Sequence, residues 1–433
     1  MIATHRTFKL FALSLLTLLP FITQADELNA ANTAWIMTAT ALVLMMTLPG
    51  LALFYGGLVR SKNILSILMQ CFAIAGIASI LWVFVGYSIA FDEGNPYFGG
   101  FGKAFFNGIS ESTLAGDIPE SLFAMFQMTF AIITPALIIG GFAERTKFSA
   151  VVLFSSLWLI LVYAPITHWV WGGGWLQQMG LLDFAGGTVV HITAGVAALV
   201  AAIVIGPRKS FGKSSTTPHN LTMTVTGAGM LWVGWFGFNG GSALAANGDA
   251  SMAMLVTHIS AATGAITWMF YEWIKFGKPT ALGTVTGMVA GLGTITPASG
   301  FVGPAGALVI GFIAGIVCFN AVTIIKQKWK IDDSLDVFPV HGVGGIIGTL
   351  MAGIFASTEL GIFSGQGFAE GISSISEQLK IQTIGVIATF VYTAIVTYLL
   401  LKIVGMITGL RVDKDEETQG LDIIDHEERG YDM

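Results

Sequence analysis

The chain carries apolar runs of about 20 residues that recur along almost its whole length. A helix of about that length crosses the roughly 30 Å of hydrocarbon in a bilayer. Only 11% of the residues are charged, against roughly 25% in soluble domains, and the mean hydropathy is +0.76. The sequence therefore predicts an all-α polytopic membrane protein. Its eleven predicted transmembrane helices lie near residues 33–57, 63–90, 120–142, 147–170, 187–206, 219–241, 251–275, 280–297, 304–325, 338–356 and 381–407.

The first 25 residues form a segment of a different kind. Two basic residues precede a short apolar run, Leu10–Ile22, and a small residue, Ala25, follows it. This pattern is typical of a cleaved signal peptide, although an uncleaved anchor is the alternative. The rest of the chain is predicted to divide into a transmembrane domain at 26–408 and an acidic cytoplasmic tail at 409–433.

Basic residues are distributed unequally between the two sets of loops that join the predicted helices. Lysine and arginine are enriched in the cytoplasmic loops of membrane proteins. The imbalance therefore predicts an external N-terminus and a cytoplasmic C-terminus, in the cell inner membrane. One set of loops holds Arg60, Lys62, Arg145, Lys147, Arg208, Lys209, Lys213, Lys275, Lys278, Lys326, Lys328 and Lys330, and the other holds Lys103 and Lys380.

Matching motifs occur in two groups of five predicted helices. Phe54–Gly57 ends the first helix with the letters FYGG, and Phe238–Gly241 ends the sixth with FNGG. Because five is an odd number, the second group must enter the membrane from the opposite side. The sequence therefore predicts a 5+5 inverted repeat, at 33–206 and 219–356, followed by a final helix. Such repeats place a substrate path between the two halves, near the membrane midplane.

Two histidines lie at matching places in the two halves, each eight residues after an aspartate: His191 after Asp183, and His341 after Asp333. Ionisable groups at membrane depth are rare and suggest function. If opposed helices bring the rings together, each ring keeps one nitrogen free toward a lumen. That lining suits a small neutral solute with hydrogen-bond donors and a lone pair. A zinc site is disfavoured because zinc normally has three or four protein ligands, and no cofactor is predicted.

Aromatic residues near the predicted outer surface are candidates for binding a cation. Trp235, Phe238 and Ser242 share one face of the sixth helix, and Trp235 is predicted to line the pore. Trp171 ends the fourth helix, where it could equally be a membrane-boundary anchor. A tryptophan face beside a hydroxyl attracts a small cation by roughly 0.5–2 kcal/mol. Phe130 is not distinguished by spacing.

Asp183 has two interpretations. Its place shortly before the fifth helix suits an aspartate that caps the helix by accepting hydrogen bonds from backbone amides. The same carboxylate could stabilise a cation at the entrance or handle a proton. The sequence leaves both roles open, and Asp333 is the cytoplasmic counterpart of Asp183.

Five motifs give the chain a close resemblance to a known family. From about residue 33 to the C-terminus it resembles the ammonium transporter/methylammonium permease/Rhesus family, and within it the bacterial ammonium channels. The motifs are LPGLALFYGG at Leu48–Gly57, DFAGGTVVHITAG at Asp183–Gly195, WFGFNGGSA at Trp235–Ala243, ITPASG at Ile295–Gly300 and DDSLDVFPVHGVGG at Asp332–Gly345.

The resemblance implies a homotrimer with one pore in each subunit, which takes ammonium or methylammonium and conducts ammonia. By motif it implies an outer recruitment site formed by Trp171, Phe130 and Ser242, near the Ala185 carbonyl. It further implies that Phe130 and Phe238 form a gate below this site and that His191 and His341 are the two histidines of the lumen. Asp183 corresponds to an acid required for conduction. The tail resembles those of bacterial relatives that help a PII-type signalling protein to dock. A solvated tail is the alternative that its composition suggests.

Three other functions fit the sequence less well. A channel for a neutral solute such as urea would not need a cation site at its entrance. A membrane sensor would signal through its tail with negligible flux. An intramembrane enzyme would need a nucleophile and base pair or a full metal ligand set, and neither is visible. The chain is therefore predicted not to be an enzyme.

Overall fold

The computed structural model describes residues 27–213 and 217–432. Within these residues, eleven helices are long and apolar enough to cross a membrane, which confirms the predicted all-α, eleven-helix architecture. The signal-peptide prediction lies outside the described residues. The spans are α1 (Ala30–Leu58), α2 (Ser61–Phe91), α3 (Glu120–Phe142), α4 (Phe148–Gln178), α5 (Gly187–Ile205), α6 (Leu221–Gly241), α7 (Gly248–Phe276), α8 (Ala281–Ala298), α9 (Pro304–Lys328), α10 (Phe338–Phe355) and α11 (Ile375–Ile407).

The end of α4 lies eight residues later than predicted, and among the helix starts that of α11 differs most, since the helix begins six residues earlier. Ser374 caps it by accepting a hydrogen bond from the Glu377 amide. The side-chain Nε2 groups of Gln378 and Gln382 donate to the backbone carbonyls of Gly180 and Leu182. These polar first turns bind protein rather than lipid, so a search for apolar runs does not find them.

Helices α5 and α10 begin in the same unusual way. Each opens with a wide π-type turn, at Gly187–Ile192 and at Phe338–Gly342, and each turn contains one of the two histidines. Wide turns of this kind occur frequently at functional sites. The shared local structure is what two related halves would produce.

The backbones of α5 and α10 approach each other very closely. A Cβ atom added to Gly195 would lie only 2.4 Å from the Cα atom of Gly342, so no larger residue fits at this contact. Small residues are what permit membrane helices to pack backbone to backbone. The contact brings the histidine-bearing turns of the two helices together inside the protein.

The side of the molecule that carries the C-terminal tail contains a buried ion-pair network. Arg208 bonds both Glu144, at 2.6 Å, and Asp332, at 2.8 Å, and so joins the loop after α3 to the loop before α10. Burial alone would raise the pKa of each carboxyl, but Arg208 holds the pKa of both Glu144 and Asp332 below the usual value. The loops at this end are therefore tied together by charge.

The tail packs against this network and is not freely solvated. It forms two short helices, α12 (Lys414–Gln419) and α13 (Leu421–His426). Glu417 bonds Arg411 at 2.8 Å and accepts from the Lys209 amide at 2.7 Å. Asp422 accepts from the amide of Ser66 near the start of α2.

On the opposite side, residues 92–119 form a long connection between α2 and α3. It contains two small antiparallel hairpins. Their strands are β1 (Gly94–Asn95), β2 (Phe98–Gly99), β3 (Leu114–Ala115) and β4 (Ile118–Pro119).

Candidate functional site

Three cavities lie in series through the helical bundle. The first, which we call the vestibule, opens on the side away from the tail and encloses about 200 Å³. The second is a narrow lumen of about 10 Å³. The third, the inner cavity, encloses about 140 Å³ on the tail side. Together the cavities outline an interrupted path between the two faces of the protein.

The vestibule contains the three residues predicted to recruit a cation. It is lined by Phe130, Trp171 and Ser242. The indole N–H of Trp171 donates to the Asp183 carbonyl at 2.9 Å, and the Ser242 hydroxyl donates to the Phe238 carbonyl at 2.8 Å. Since its proton is used in that bond, the Ser242 oxygen offers lone pairs to a ligand. Ala185 is fully buried and does not itself line the cavity.

Two phenylalanine rings separate the vestibule from the lumen. The ring centroids of Phe130 and Phe238 lie 4.3 Å apart, and Trp171 contacts Phe130 edge to face at 5.9 Å. Phe130 lines the vestibule, whereas Phe238 lines the lumen. Both side chains are almost completely buried. A hydrated ion would have to lose its water to pass between them.

His191 and His341 meet in the lumen. Their Nδ1 atoms are 3.2 Å apart and their rings are nearly parallel, with centroids 5.2 Å apart. In a bond between two neutral rings, one Nδ1 donates and the other accepts. Consequently one ring keeps a free N–H at Nε2 and the other keeps a free lone pair. Neither Nε2 has a hydrogen-bond partner among the described residues, and that of His191 is fully buried.

Trp235 holds one wall of the lumen. Its ring stacks on His191 at a centroid distance of 5.6 Å, and its indole N–H donates to the hydroxyl of Thr296 at 2.8 Å. The hydrogen bond fixes the tryptophan in place, and the stacking limits the rotation of His191. Thr296 was not singled out from the sequence, although it lies inside the ITPASG motif that carries the family resemblance.

Asp183 accepts hydrogen bonds from the start of α5. Its Oδ1 accepts from the amides of Gly186, at 2.8 Å, and Gly187, at 2.6 Å. Its Oδ2 accepts from the amide of Thr188 at 2.8 Å, from the Thr188 hydroxyl, and from the Val189 amide at 3.4 Å. Both oxygens are thus occupied by the protein. This geometry favours the capping interpretation and makes Asp183 a positioning residue for the helix that carries His191.

Asp333 caps α10 in a similar way with fewer bonds. It accepts from the amides of Val337, at 3.1 Å, and Phe338, at 2.7 Å. Burial, with the neighbouring charge of Asp336, raises the pKa of Asp333 to about 7. The two aspartates therefore share a structural position and differ in the number of donors around them.

Several lining residues are not apparent from the sequence. Phe91, Phe123 and Gln127 line the vestibule, and Tyr55 and Lys326 line the inner cavity. Tyr55 lies within the FYGG motif, which is a signal for it. The other four carry no spacing or motif that separates them from ordinary core or loop residues.

Comparisons with known proteins give one consistent result. The sequence profile described as Ammonium Transporter Family matches residues 34–431. A putative ammonium transporter of Methanothermobacter thermautotrophicus is 50% identical over 411 residues, covering 93% of this chain and 99% of that protein. An ammonium transporter of Bacillus subtilis is 48% identical over 406 residues, covering 93% and 99%.

Solved structures agree with the sequence comparisons. A sensor Amt protein superposes with a TM-score of 0.85 at 32% identity, covering 92% of this chain and 98% of that one. Saccharomyces cerevisiae Mep2 superposes with a TM-score of 0.82 at 37% identity, covering 90% and 89%.

Proposed function

We propose a route for ammonium through this chain, which belongs to the ammonium transporter family and is a multi-pass membrane transporter of ammonium. Ammonium is held in the vestibule, gives up its proton to water in the vestibule at the pair of phenylalanines, and crosses the lumen as ammonia along the two histidines. The observation that supports this route most strongly is the order of the three cavities, with Phe130 and Phe238 between the first two and both histidines in the second.

The vestibule suits the charged form of the substrate. The ring faces of Trp171 and Phe130 attract a cation by roughly 0.5–2 kcal/mol, and the Ser242 oxygen accepts a hydrogen bond from it. A potassium ion would gain the cation–π attraction but could donate no hydrogen bond. The vestibule alone therefore discriminates only modestly between the two ions.

The lumen suits the neutral form. A full charge near the centre of a bilayer costs from about 2.5 to more than 10 kcal/mol, and two neutral imidazoles do little to offset that cost. Ammonia can accept a hydrogen bond from the free N–H of one histidine and donate to the lone pair of the other. Potassium has no proton to lose, so a path open only to the neutral molecule excludes it.

We further propose that the protein lies in the inner membrane with its tail in the cytoplasm. The basic loops gather on the tail side, as the positive-inside rule requires. Cysteine labelling of intact cells tests the orientation: Glu427→Cys in the tail should be protected and Glu111→Cys in the α2–α3 loop should react. Reaction of both residues, or of the tail residue alone, would contradict it.

We propose that the chain works as a homotrimer. Helices α6, α7 and α9 expose apolar side chains, among them Val233, Leu255 and Phe312. His258 is exposed within α7, on a helix that crosses the membrane. An imidazole is unfavourable in lipid, so this face is better covered by protein. Native mass spectrometry of the purified protein should show three subunits, and a monomer would contradict the proposal.

A PII-type signalling protein is the proposed partner on the cytoplasmic side. The tail helices are packed beside the loops that border the inner cavity, so a bound protein would contact the tail and the exit of the path together. Loss of co-purification on deletion of 409–433 supports this partner, and unchanged binding would contradict the role of the tail.

Uptake of labelled methylammonium into proteoliposomes, with current recorded in parallel, tests the function itself. Saturable uptake that potassium does not inhibit supports the proposed route. Uptake of urea with no ammonium flux would favour a neutral-solute channel, and binding without flux would favour a sensor. The current decides whether the proton crosses with the ammonia or remains on the vestibule side.

A further inference from the structure

The loop at 92–119 exposes large aromatic side chains. Phe101 and Phe105 are each 70% exposed, and Phe98 is 51% exposed. Soluble surfaces rarely display large apolar groups so close together, and such patches mark contact with a membrane or a protein. The same loop is held to α4 through its backbone, because the indole N–H of Trp169 donates to the Tyr97 carbonyl at 2.7 Å.

The loop reaches down beside α2 toward the membrane. The ring of Phe105 contacts the ring of Phe84, with centroids 5.1 Å apart. Phe84 precedes the end of α2 at Phe91 by seven residues, which is about 10 Å along a helix. Phe105 therefore lies level with the last two turns of the helix.

That level coincides with the edge of the hydrocarbon. Helix α2 has 31 residues and is about 46 Å long, which exceeds the roughly 30 Å of hydrocarbon by about 16 Å. If the excess is shared equally, the hydrocarbon begins about 8 Å from each end of the helix. Phe84 and Phe105 are thus at the boundary between headgroups and acyl chains, where aromatic residues are favoured.

The exposed patch continues the membrane-facing stripe of α2. Phe72, Gly76, Ile80 and Phe84 follow one another at intervals of four residues, which places them on one side of the helix, and all four are exposed. Phe105 extends this stripe from the loop. The continuity favours lipid as the occupant, since the same apolar surface that faces the bilayer along α2 runs without interruption onto the loop.

The backbone at this point holds two adjacent rings in opposite directions. Phe105 and Phe106 both have a φ of 57°, in the left-handed region that bulky residues rarely adopt. The result is that Phe105 points outward and Phe106 packs inward, edge to face on Tyr87 at 5.4 Å. A conformation of this kind persists only where its surroundings impose it, and it occurs often at functional sites.

A series of ring contacts connects the inward side of the loop with the vestibule. Tyr87 contacts Phe91 at 5.5 Å, and Phe91 contacts Phe123 edge to face at 5.0 Å. Phe91 and Phe123 both line the vestibule. The loop that meets the membrane is therefore packed, ring against ring, behind one wall of the cation site.

We propose that loop 92–119 is an interfacial membrane anchor. Phe101 and Phe105 enter the boundary between headgroups and acyl chains of the leaflet on the vestibule side, and the anchored loop supports the vestibule wall through Phe106 and Tyr87. The anchor itself does not depend on which substrate the protein carries. The support of the vestibule wall rests on the proposed function.

Site-directed spin labelling measures the depth of the loop directly. The two native cysteines, Cys71 and Cys318, are fully buried, so an introduced cysteine can be labelled selectively. The variants are Phe105→Cys and Phe101→Cys, with Glu111→Cys as the matched control on the exposed polar part of the same loop. Each full-length variant is labelled with a nitroxide and placed in lipid nanodiscs. Collision rates with oxygen, which concentrates in lipid, and with a water-soluble nickel chelate then report the depth of the label.

We expect the labels at 101 and 105 to collide more with oxygen and less with nickel than the label at 111. Equal nickel accessibility at all three positions would place the loop in water and overturn the anchor. Protection from both reagents at 105 would show that protein covers the patch, which would overturn lipid as its occupant.

Transport by the double variant Phe101→Ser/Phe105→Ser tests the second half of the proposal. We expect the half-saturating concentration of methylammonium in proteoliposomes to rise about threefold, as when part of a cation–π contact is lost. An unchanged value would overturn the link to the vestibule while leaving the depth result intact. Absence of transport in the unmodified protein would contradict the proposed function and not the anchor.

Discussion

Replacing Asp183 by asparagine should destabilise the start of α5 as well as remove a charge near the vestibule. The carboxylate accepts five hydrogen bonds, two at Oδ1 and three at Oδ2. Asparagine has one acceptor oxygen, and its NH₂ group would face N–H donors. If the oxygen takes the place of Oδ2, the amides of Gly186 and Gly187 lose their acceptor. If it takes the place of Oδ1, those of Thr188 and Val189 do.

The size of the effect follows from these two lost bonds. A buried donor without a partner costs about 1–3 kcal/mol, so the substitution should lower the free energy of unfolding by about 2–6 kcal/mol. Whole domains are stable by only about 5–15 kcal/mol. Because the same turn contains His191, we also expect the histidine pair to shift and methylammonium flux to fall.

Thermal unfolding in detergent and flux in proteoliposomes separate the two roles of Asp183. A lower melting temperature together with lower flux supports the cap. An asparagine variant that melts like the wild type and has lost only its flux would refute this reasoning and would assign the carboxylate to the cation.

Asp333→Asn is the matched control, since Asp333 accepts only two amide bonds. Its pKa is raised to about 7 by burial and by Asp336, so its protonated form is favoured in the folded protein. The stability from this group is complete below the unfolded pKa of about 4 and is lost as the pH rises through about 7. The asparagine variant should lose less stability than Asp183→Asn, and its melting temperature should vary less between pH 5 and 8. A loss as large as at Asp183 would contradict the comparison of donors.

Three further predictions concern the gate, the lumen and the ion-pair network. The double variant Phe130→Ala/Phe238→Ala should change flux or admit potassium, and unchanged flux with unchanged potassium exclusion would refute the gate. The double variant His191→Ala/His341→Ala should have a wetter, less selective lumen, measured as potassium current. The variant His341→Glu should admit or trap cations. Wild-type selectivity in both variants would contradict the pairing role. Arg208→Met removes the ion-pair partner of the buried Asp332 carboxylate and leaves buried Glu144 with Arg60 alone, and it should cost roughly 3–5 kcal/mol near pH 7. That loss should shrink as the pH falls below about 4, because the carboxylates then become protonated; a loss that is independent of pH would refute the ion-pair argument.

The spans could be predicted from the sequence because one physical term dominates them. Burying an unsatisfied backbone in lipid is so costly that a long apolar run has few alternatives to a helix. The apolar pattern predicts a start of α11 six residues too late, because the first turns of this helix are polar. Gln378 and Gln382 satisfy backbone carbonyls of another segment, and such a polar contact has no counterpart in hydropathy.

The candidate site is most apparent in the sequence where it repeats. His191 and His341 stand out because each follows an aspartate at the same interval, and the structure brings their Nδ1 atoms to within 3.2 Å of each other. Phe130 and Thr296 do not repeat in any such pattern. Whether one phenylalanine among 31 covers a path depends on the rotation of its helix, which packing decides and the sequence does not display. The same is true of the ring contacts beneath loop 92–119.

The two ends of the proposed route differ in the residues that lie between the histidines and the adjoining cavity. On the vestibule side, Phe130 and Phe238 lie between the vestibule and the histidines, so in the proposed route the proton leaves before ammonia enters the lumen. On the tail side, His341 itself lines the inner cavity, which Lys326 and Asp336 also line. We therefore expect ammonia that leaves His341 to enter a polar cavity at once and to take up a proton from water there. An inverted repeat can supply the matched histidines and also Phe238, whose counterpart in the FYGG motif is Phe54, but Phe130 lies in no motif that repeats. The proposed desolvating barrier therefore needs a ring that the repeat does not provide.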